Sequence, residues 1–279
     1  MFQIDALTGA KLSGPRSILR VVQVFTQLSA QPQGQTLAQL CKSLGLPKTT
    51  LFTMLKVLEK AHYLGHEAGI YRLGPQAVAL GAAMADTARR NFPDCAKGSL
   101  ESLCLRTGET VFLAVLTPDR LFCKYVSVVE TDNWLRFTVK LGSQRPSYAT
   151  GSGRAMLAYL PDEELRLLLE QFRFERVTPK TVSTRSRLLA SLRQVRKRAV
   201  SVVDSGTVTG VVSVAAPIFD ADGRVQAAVT VGGPTMRLTD RLPTIEQAVR
   251  DSAVDISRIL GFAGDWPARP GARAGLAPD

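Results

Sequence analysis

Imidazole is almost missing from this chain: among 279 residues only His62 and His66 are histidines, so nothing beyond position 66 offers one. The long C-terminal part therefore lacks the side chain that most often moves protons in enzymes. Cysteine is nearly as sparse. Cys41, Cys95, Cys104 and Cys123 stand far apart, with no C-x-x-C pair and no histidine at ligand spacing, so neither a zinc site nor a disulfide framework is expected. Long apolar runs are missing too, since stretches such as 211–219 and 225–231 fall short of the roughly 18 to 20 residues that cross a bilayer. Residues 1–14 have no basic start followed by an apolar block, so no signal peptide and no membrane partner are expected, and the cytoplasm is the expected location.

Acidic charge is also in short supply. Against 35 Lys and Arg stand 24 Asp and Glu, a formal net charge of +11, which favours a polyanionic partner. The excess is densest near the start: residues 1–75 carry eight basic and three acidic residues, whereas 93–262 carry 23 and 18. A nucleic-acid surface is expected in the first part, with a generally basic surface as the plainer alternative.

What is present begins with helical periodicity. Residues 17–30 place Ile18, Leu19, Val22, Phe25 and Leu28 at three- and four-residue spacing, which predicts an amphipathic helix with that buried stripe. Thr36 stands where an N-cap belongs, ahead of a short second helix that stops at Gly45. Pro47 fits the first position of a third helix, with Leu51, Met54, Leu55 and Leu58 as its apolar stripe. Residues 63–66 and 70–73 flank Glu67-Ala68-Gly69 and read as a hairpin. Three helices and a wing make a winged helix-turn-helix over 14–75. Its third helix would present Lys48, Thr49, Thr50, Phe52, Thr53 and Lys56 to a major groove. The backbone N–H groups near Thr36 would meet a phosphate, and Arg72 in the wing would touch the DNA backbone.

Residues 76–92 read as a linker helix whose narrow stripe, Ala77, Leu80, Gly81, Met84 and Ala88, suits either a dimer seam or packing on its own domain. From Pro93 strands and helices alternate. Strands are expected at 110–116, 121–127, 136–140, 200–204, 211–219 and 224–232, and helices at 94–106, 153–159, 162–172, 184–198 and 240–260. The turn Asp220-Ala221-Asp222-Gly223 joins two of the strands as a hairpin. The order favours an antiparallel sheet with helices on its faces over 93–262, an α+β chain as a whole. Residues 263–279, dense in Pro, Gly and Ala, are expected to be a disordered tail.

Several of these phrases together resemble the IclR-type transcriptional regulators. The carriers are Leu37-Ala38-Gln39-Leu40, Gly45-Leu46-Pro47-Lys48-Thr49-Thr50 and Tyr71-Arg72-Leu73-Gly74. Gly151-Ser152-Gly153-Arg154-Ala155-Met156-Leu157-Ala158 and Ser213-Val214-Ala215-Ala216-Pro217-Ile218 follow in the second half. The resemblance runs from Gly14 to about Phe262. It implies double-stranded DNA with an inverted-repeat operator as one partner, and self-association into dimers, often paired into tetramers. It also implies a GAF-like effector-binding domain that senses a small organic acid and controls a catabolic operon. Residues 141–150 look like the subgroup concerned with aromatic-acid degradation.

By the same resemblance the effector site comprises Tyr148, Ala149, Thr150, Gly151, Ser152, Asp204, Ser213, Thr230 and Gly232. On charge alone, Arg136 and Arg154 are candidate counter-ions for an acid. Two positions depart from the pattern. Thr53 stands where many members carry arginine, and Ser205 and Gly206 replace the usual acidic pair, leaving only Asp204.

No catalytic residue, metal ligand or cofactor is expected. Gly151-Ser152-Gly153 lacks the third glycine of a dinucleotide fingerprint, the Gly-Lys-Ser/Thr ending of a P-loop and the spacing of a nucleophile elbow. The competing reading is a small-molecule-binding enzyme with an accessory winged domain.

Overall fold

The computed structural model describes residues 16–271 and falls into two compact units that divide after Met84. The expectation of no leader peptide, and the last part of the expected tail, concern residues outside that range.

In the first unit α1 (Arg16–Ser29), α2 (Leu37–Leu44) and α3 (Lys48–Lys60) pack with a three-stranded sheet. Its strands are β1 (Gln35–Thr36), β2 (Leu64–Glu67) and β3 (Ile70–Leu73), in the order β1-β3-β2 and antiparallel throughout. Thr36 closes a capping box: its hydroxyl accepts from the Gln39 amide at 3.3 Å while the Gln39 side chain accepts from the Thr36 amide at 2.8 Å. Gly45 takes the left-handed conformation, φ 65°, that ends α2 and turns the chain into α3. Pro47 caps α3 from just outside, one residue earlier than expected.

Val24, Leu28, Leu40, Leu51, Leu55, Leu64 and Tyr71 form the core of this unit. The expected stripe of α1 is rotated. Val24 is buried where Val22 was expected, and Ile18 and Val22 are exposed, because Val21, Val24, Phe25 and Leu28 satisfy the helical period equally well. Helix α4 (Pro75–Arg90) follows and crosses the division between the units.

The second unit is built on a six-stranded sheet in the order β6-β5-β4-β9-β8-β7, every pairing antiparallel. The strands are β4 (Thr110–Leu116), β5 (Phe122–Val129), β6 (Gln144–Pro146), β7 (Ser201–Asp204), β8 (Val211–Phe219) and β9 (Val225–Pro234). The two-residue period of the strands separates two cores. Val111, Leu113, Val212, Val214, Val229 and Val231 face α5 (Lys97–Thr107) and α10 (Leu242–Ile259), with the short α9 (Thr235–Leu238) between β9 and α10. Phe112, Ala114, Ala215 and Ala228 face the other way, towards α6 (Gly151–Leu157). Beyond α6 lie α7 (Asp162–Gln171) and α8 (Arg185–Arg198).

Two expectations fail here. Residues 136–140 are not a strand: Val139 is buried and Phe137 packs beside it, but the edge partner of β5 is β6, seven residues further on from Phe137. Alternating apolar residues report burial, and ladder pairing is a separate condition. Nor are residues 263–268 free of the fold. Trp266 packs on Phe219 and donates its indole N–H to the Pro217 carbonyl at 3.3 Å, and Ala268 is buried.

Candidate nucleic-acid interface and ligand cavity

Helix α3 divides cleanly. Leu51 and Leu55 are fully buried with Met54 and Leu58 beside them, which leaves Lys48, Thr49, Thr50, Phe52, Thr53 and Lys56 exposed together. The Lys56 ammonium sits 5.0 Å from the Phe52 ring centroid, an arrangement that restrains a flexible cation over an aromatic face. Thr53 turns its hydroxyl back to the Thr49 carbonyl at 3.0 Å, so one of the three exposed threonines spends its donor within the helix. The Thr36 hydroxyl is likewise engaged in its capping box; only the helix end it organises faces outwards. Arg72 is exposed on β3 opposite Gly65. Behind it His66 stacks on Tyr71, ring centroids 4.0 Å apart, and lies 3.6 Å from the Glu59 carboxylate, which ties the wing to the end of α3.

A second feature lies within the other unit, where a small cavity of about 20 Å³ opens between the start of α6, the end of β7 and the first residues of β8. Five residues of the expected effector set, Ala149, Thr150, Gly151, Ser152 and Ser213, line it. So do Phe112, Tyr125 and Phe137 on one side and Val203, Gly206, Thr207, Val208 and Val211 on the other. Glycines let the side chains around the cavity come close to the backbone. A Cβ on Gly151 would stand 2.6 Å from the Ser213 hydroxyl oxygen, and one on Gly232 would stand 2.9 Å from both Phe112 and Phe137. Gly232 thus makes room for the aromatic wall without lining the cavity.

The polar groups around the cavity are paired with one another. Ser152 and Thr230 share a buried hydroxyl–hydroxyl bond of 2.9 Å, Thr150 caps α6 by accepting from the Gly153 amide at 3.0 Å, and Ser213 donates to the Val203 carbonyl at 3.4 Å. Burial pushes the neighbouring Cys123 thiol up to about 11, so it is a neutral thiol in contact with Thr150 at 3.1 Å.

Four of the expected effector residues do not line the cavity. Gly232 and Thr230 lie behind it. Tyr148 sends its hydroxyl to the 173–175 segment, accepting from the Glu175 amide at 2.8 Å, and packs between Phe172 and Phe174. Asp204 pairs with Lys180 and accepts from Ser205 at 2.8 Å and Thr235 at 3.0 Å. Lys180 and these hydroxyls hold its carboxyl below the usual range.

The candidate counter-ions do not line the cavity. Arg136 pairs with Glu130 at 3.0 Å, and the buried Arg154 side chain of α6 donates to the Tyr148 carbonyl at 2.8 Å. Burial lowers Arg154 to about 10, which still leaves it charged at neutral pH. Among the described residues no cation lines the cavity.

The aromatic wall has no sequence motif, and its one local signal is β-strand alternation, which puts Phe112 on the face of Ala114, opposite Val111 and Leu113. Among the described residues, all four cysteines are free, no cluster of three His, Cys, Asp or Glu is placed to hold a metal, and no helix is long and apolar enough to cross a membrane.

Comparison with known proteins agrees with both halves of this geometry. Residues 17–67 match the IclR helix-turn-helix domain and residues 84–258 match the bacterial transcriptional regulator IclR C-terminal domain. The chain is 31% identical over 252 residues to the HTH-type transcriptional repressor AllR of Escherichia coli K12, covering 89% of this chain and 92% of that one. It is 29% identical over 250 residues to the HTH-type transcriptional regulator XynR of the same strain, covering 88% and 98%.

Among solved structures the Agrobacterium tumefaciens repressor BlcR shares the fold, with a TM-score of 0.67 at 24% identity over 88% of this chain and 98% of that one. The C-terminal domain of the Escherichia coli transcriptional regulator KdgR does so with a TM-score of 0.54 at 27% identity, over 60% and 96%. These relatives are regulators of transcription, so the enzyme reading falls. With a DNA-binding helix-turn-helix before an antiparallel effector-domain sheet, and with family matches across both, the chain belongs to the IclR family of transcriptional regulators.

Proposed function

We propose that this regulator controls a catabolic operon in response to a small organic acid, with aromatic acids the favoured class. It would bind an inverted-repeat operator as a homodimer, or as a pair of dimers. The observation that carries the effector reading is the cavity lining: Phe112, Tyr125 and Phe137 supply an aromatic wall opposite the hydroxyls of Thr150, Ser152 and Ser213. A flat apolar body with a polar end matches such a lining. Because no cation is there, the acid group would be held by hydroxyls and backbone N–H donors, which stabilise a carboxylate when two or three converge.

On the DNA side, Lys48, Thr49, Thr50, Phe52, Thr53 and Lys56 would enter the major groove, and Arg72 together with the helix end at Thr36 would hold phosphates. The dimer reading is supported by α4, where Leu80 and Met84 are exposed one turn apart, 41% and 64%.

The test is a salt-titrated mobility shift on the DNA flanking the protein's own gene, run with a panel of aromatic and short aliphatic acids. A shift abolished or strengthened by an aromatic acid in the parent, and indifferent to it in Ser213→Phe, supports the proposal. A DNA complex that no acid in the panel alters, in a protein whose melting temperature none of them moves, refutes the effector assignment.

A further inference from the structure

Helix α8 carries no acidic side chain of its own, and among the described residues only Arg196 and Arg198 find carboxylates, those of Asp162 and Glu246 on other elements. Arg185, Arg187, Arg193, Arg196, Lys197 and Arg198 stand within 14 residues that include no acidic side chain. Where α8 passes α7, the two helices leave a groove of about 300 Å³, an order larger than the cavity beside α6 and sharing no residue with it. Its floor is apolar: Leu165, Leu169 and Leu192 are buried, and Leu189 is partly buried between them.

Four arginines stand around that floor, and they are not equivalent. Arg166 is paired with Glu163 at 2.7 Å and Glu170 at 3.4 Å, and Arg196 with Asp162 at 2.8 Å. Arg185 and Arg193 meet no carboxylate among the described residues. They stand four residues on either side of Leu189, so two free cations and a leucine share one line along the groove, about 12 Å from end to end. Arg185 also occupies the first position of α8, where a cation opposes the helix dipole and an anion is favoured.

We propose that the groove between α7 and α8 is a second ligand site of this protein, for a carboxylate-headed molecule with an apolar chain of medium length. The chain lies on Leu165, Leu189 and Leu192, and its head is taken by Arg185 or Arg193. The volume is at the lower end of the range for small-molecule pockets, about 300 to 1,000 Å³. Duplex DNA fits the groove poorly, since phosphates have no use for a leucine floor. The site gives the regulator an input separate from the cavity beside α6, and it does not depend on what that cavity binds.

The experiment is isothermal titration of the full chain with octanoate below its micellar range, with octanol as the uncharged match. Saturable octanoate binding at one per chain is expected, with octanol about tenfold weaker. Arg185→Glu combined with Arg193→Glu, both exposed, should weaken octanoate by at least about tenfold at an unchanged melting temperature. Ser213→Phe, in the other cavity, should leave octanoate binding as it is. The proposal is overturned if octanoate gives no saturable heat, if octanol binds equally well, or if the double variant binds like the parent. It is overturned equally if Ser213→Phe alone removes binding, which would place octanoate in the cavity beside α6, or if an acidic peptide binds where octanoate does not.

Discussion

Gly153 has no room for a side chain: a Cβ there would collide with the backbone of Ser147, which cannot swing aside as a flexible side chain does. Gly153→Ala should therefore cost about 2 to 3 kcal/mol, read as a lowered urea midpoint with an unchanged slope. A midpoint within error of the parent would mean that the 147–153 loop yields. Glu109 is a different kind of constraint. It is wholly buried at the start of β4, and Arg237 on α9 grips both its oxygens. Arg237→Ala leaves a buried carboxylate with no cation and should cost about 3 kcal/mol by the same measurement, the lower end of the range because Arg237 is itself about a third exposed.

Asp204 makes a pH-dependent prediction. Its carboxyl is held below the usual aspartate value, so the stability it contributes is complete above the unfolded value and is lost as pH falls through the lower folded one. In Lys180→Met the main cause of that lowering is gone, and the acid limb of the stability profile should become shallower. An identical acid limb would show that the Lys180 pair adds nothing in solution.

At the scale of elements, α3 sets the clearest expectation. If Lys48 and Lys56 neutralise phosphates, replacing either by Ala should flatten the dependence of log affinity on log salt by about one unit. Thr53→Ala should leave that slope unchanged, because its hydroxyl already bonds the Thr49 carbonyl. Much of this half was legible in sequence because helix signals are local: the Thr36 cap, the left-handed Gly45 and the leucine spacing of α3 each lie within a few residues.

Legibility declined where the answer depended on distant partners. The stripe of α1 was misplaced because two overlapping sets of apolar residues fit one period, and only packing against Leu40 and Leu55 selects between them. The segment 136–140 alternates like a strand and lies beside the sheet unpaired. In the cavity, the 149–152 loop and Ser213 were legible as a motif, whereas Tyr125 and Phe137 reach it through sheet register and loop path, which no local pattern encodes. Tyr148 and Asp204 sit in the right neighbourhood, but their polar atoms are satisfied elsewhere.

For the whole molecule, the central expectation is self-association through α4. Leu80→Glu with Met84→Glu should shift the sedimentation equilibrium towards monomer and weaken operator binding far more than binding of a single half-site, since two linked half-sites gain from effective concentration. Unchanged sedimentation would refute self-association through α4.

The size of the cavity beside α6 bears on the effector proposed for it. Space of about 20 Å³ holds a water molecule and no organic acid, so if that effector enters here, the conformation that accepts it is a different, wider one. Apparent affinity is then the intrinsic affinity multiplied by the fraction of molecules already wide. Under that proposal, trimming the walls, as in Phe137→Ala, should raise that fraction and drive the regulator towards its effector-bound output with no effector present, while the lost ring contact weakens intrinsic binding. Leakiness without effector and grip on the effector would then be set, in opposite senses, by the bulk of the same few aromatic rings.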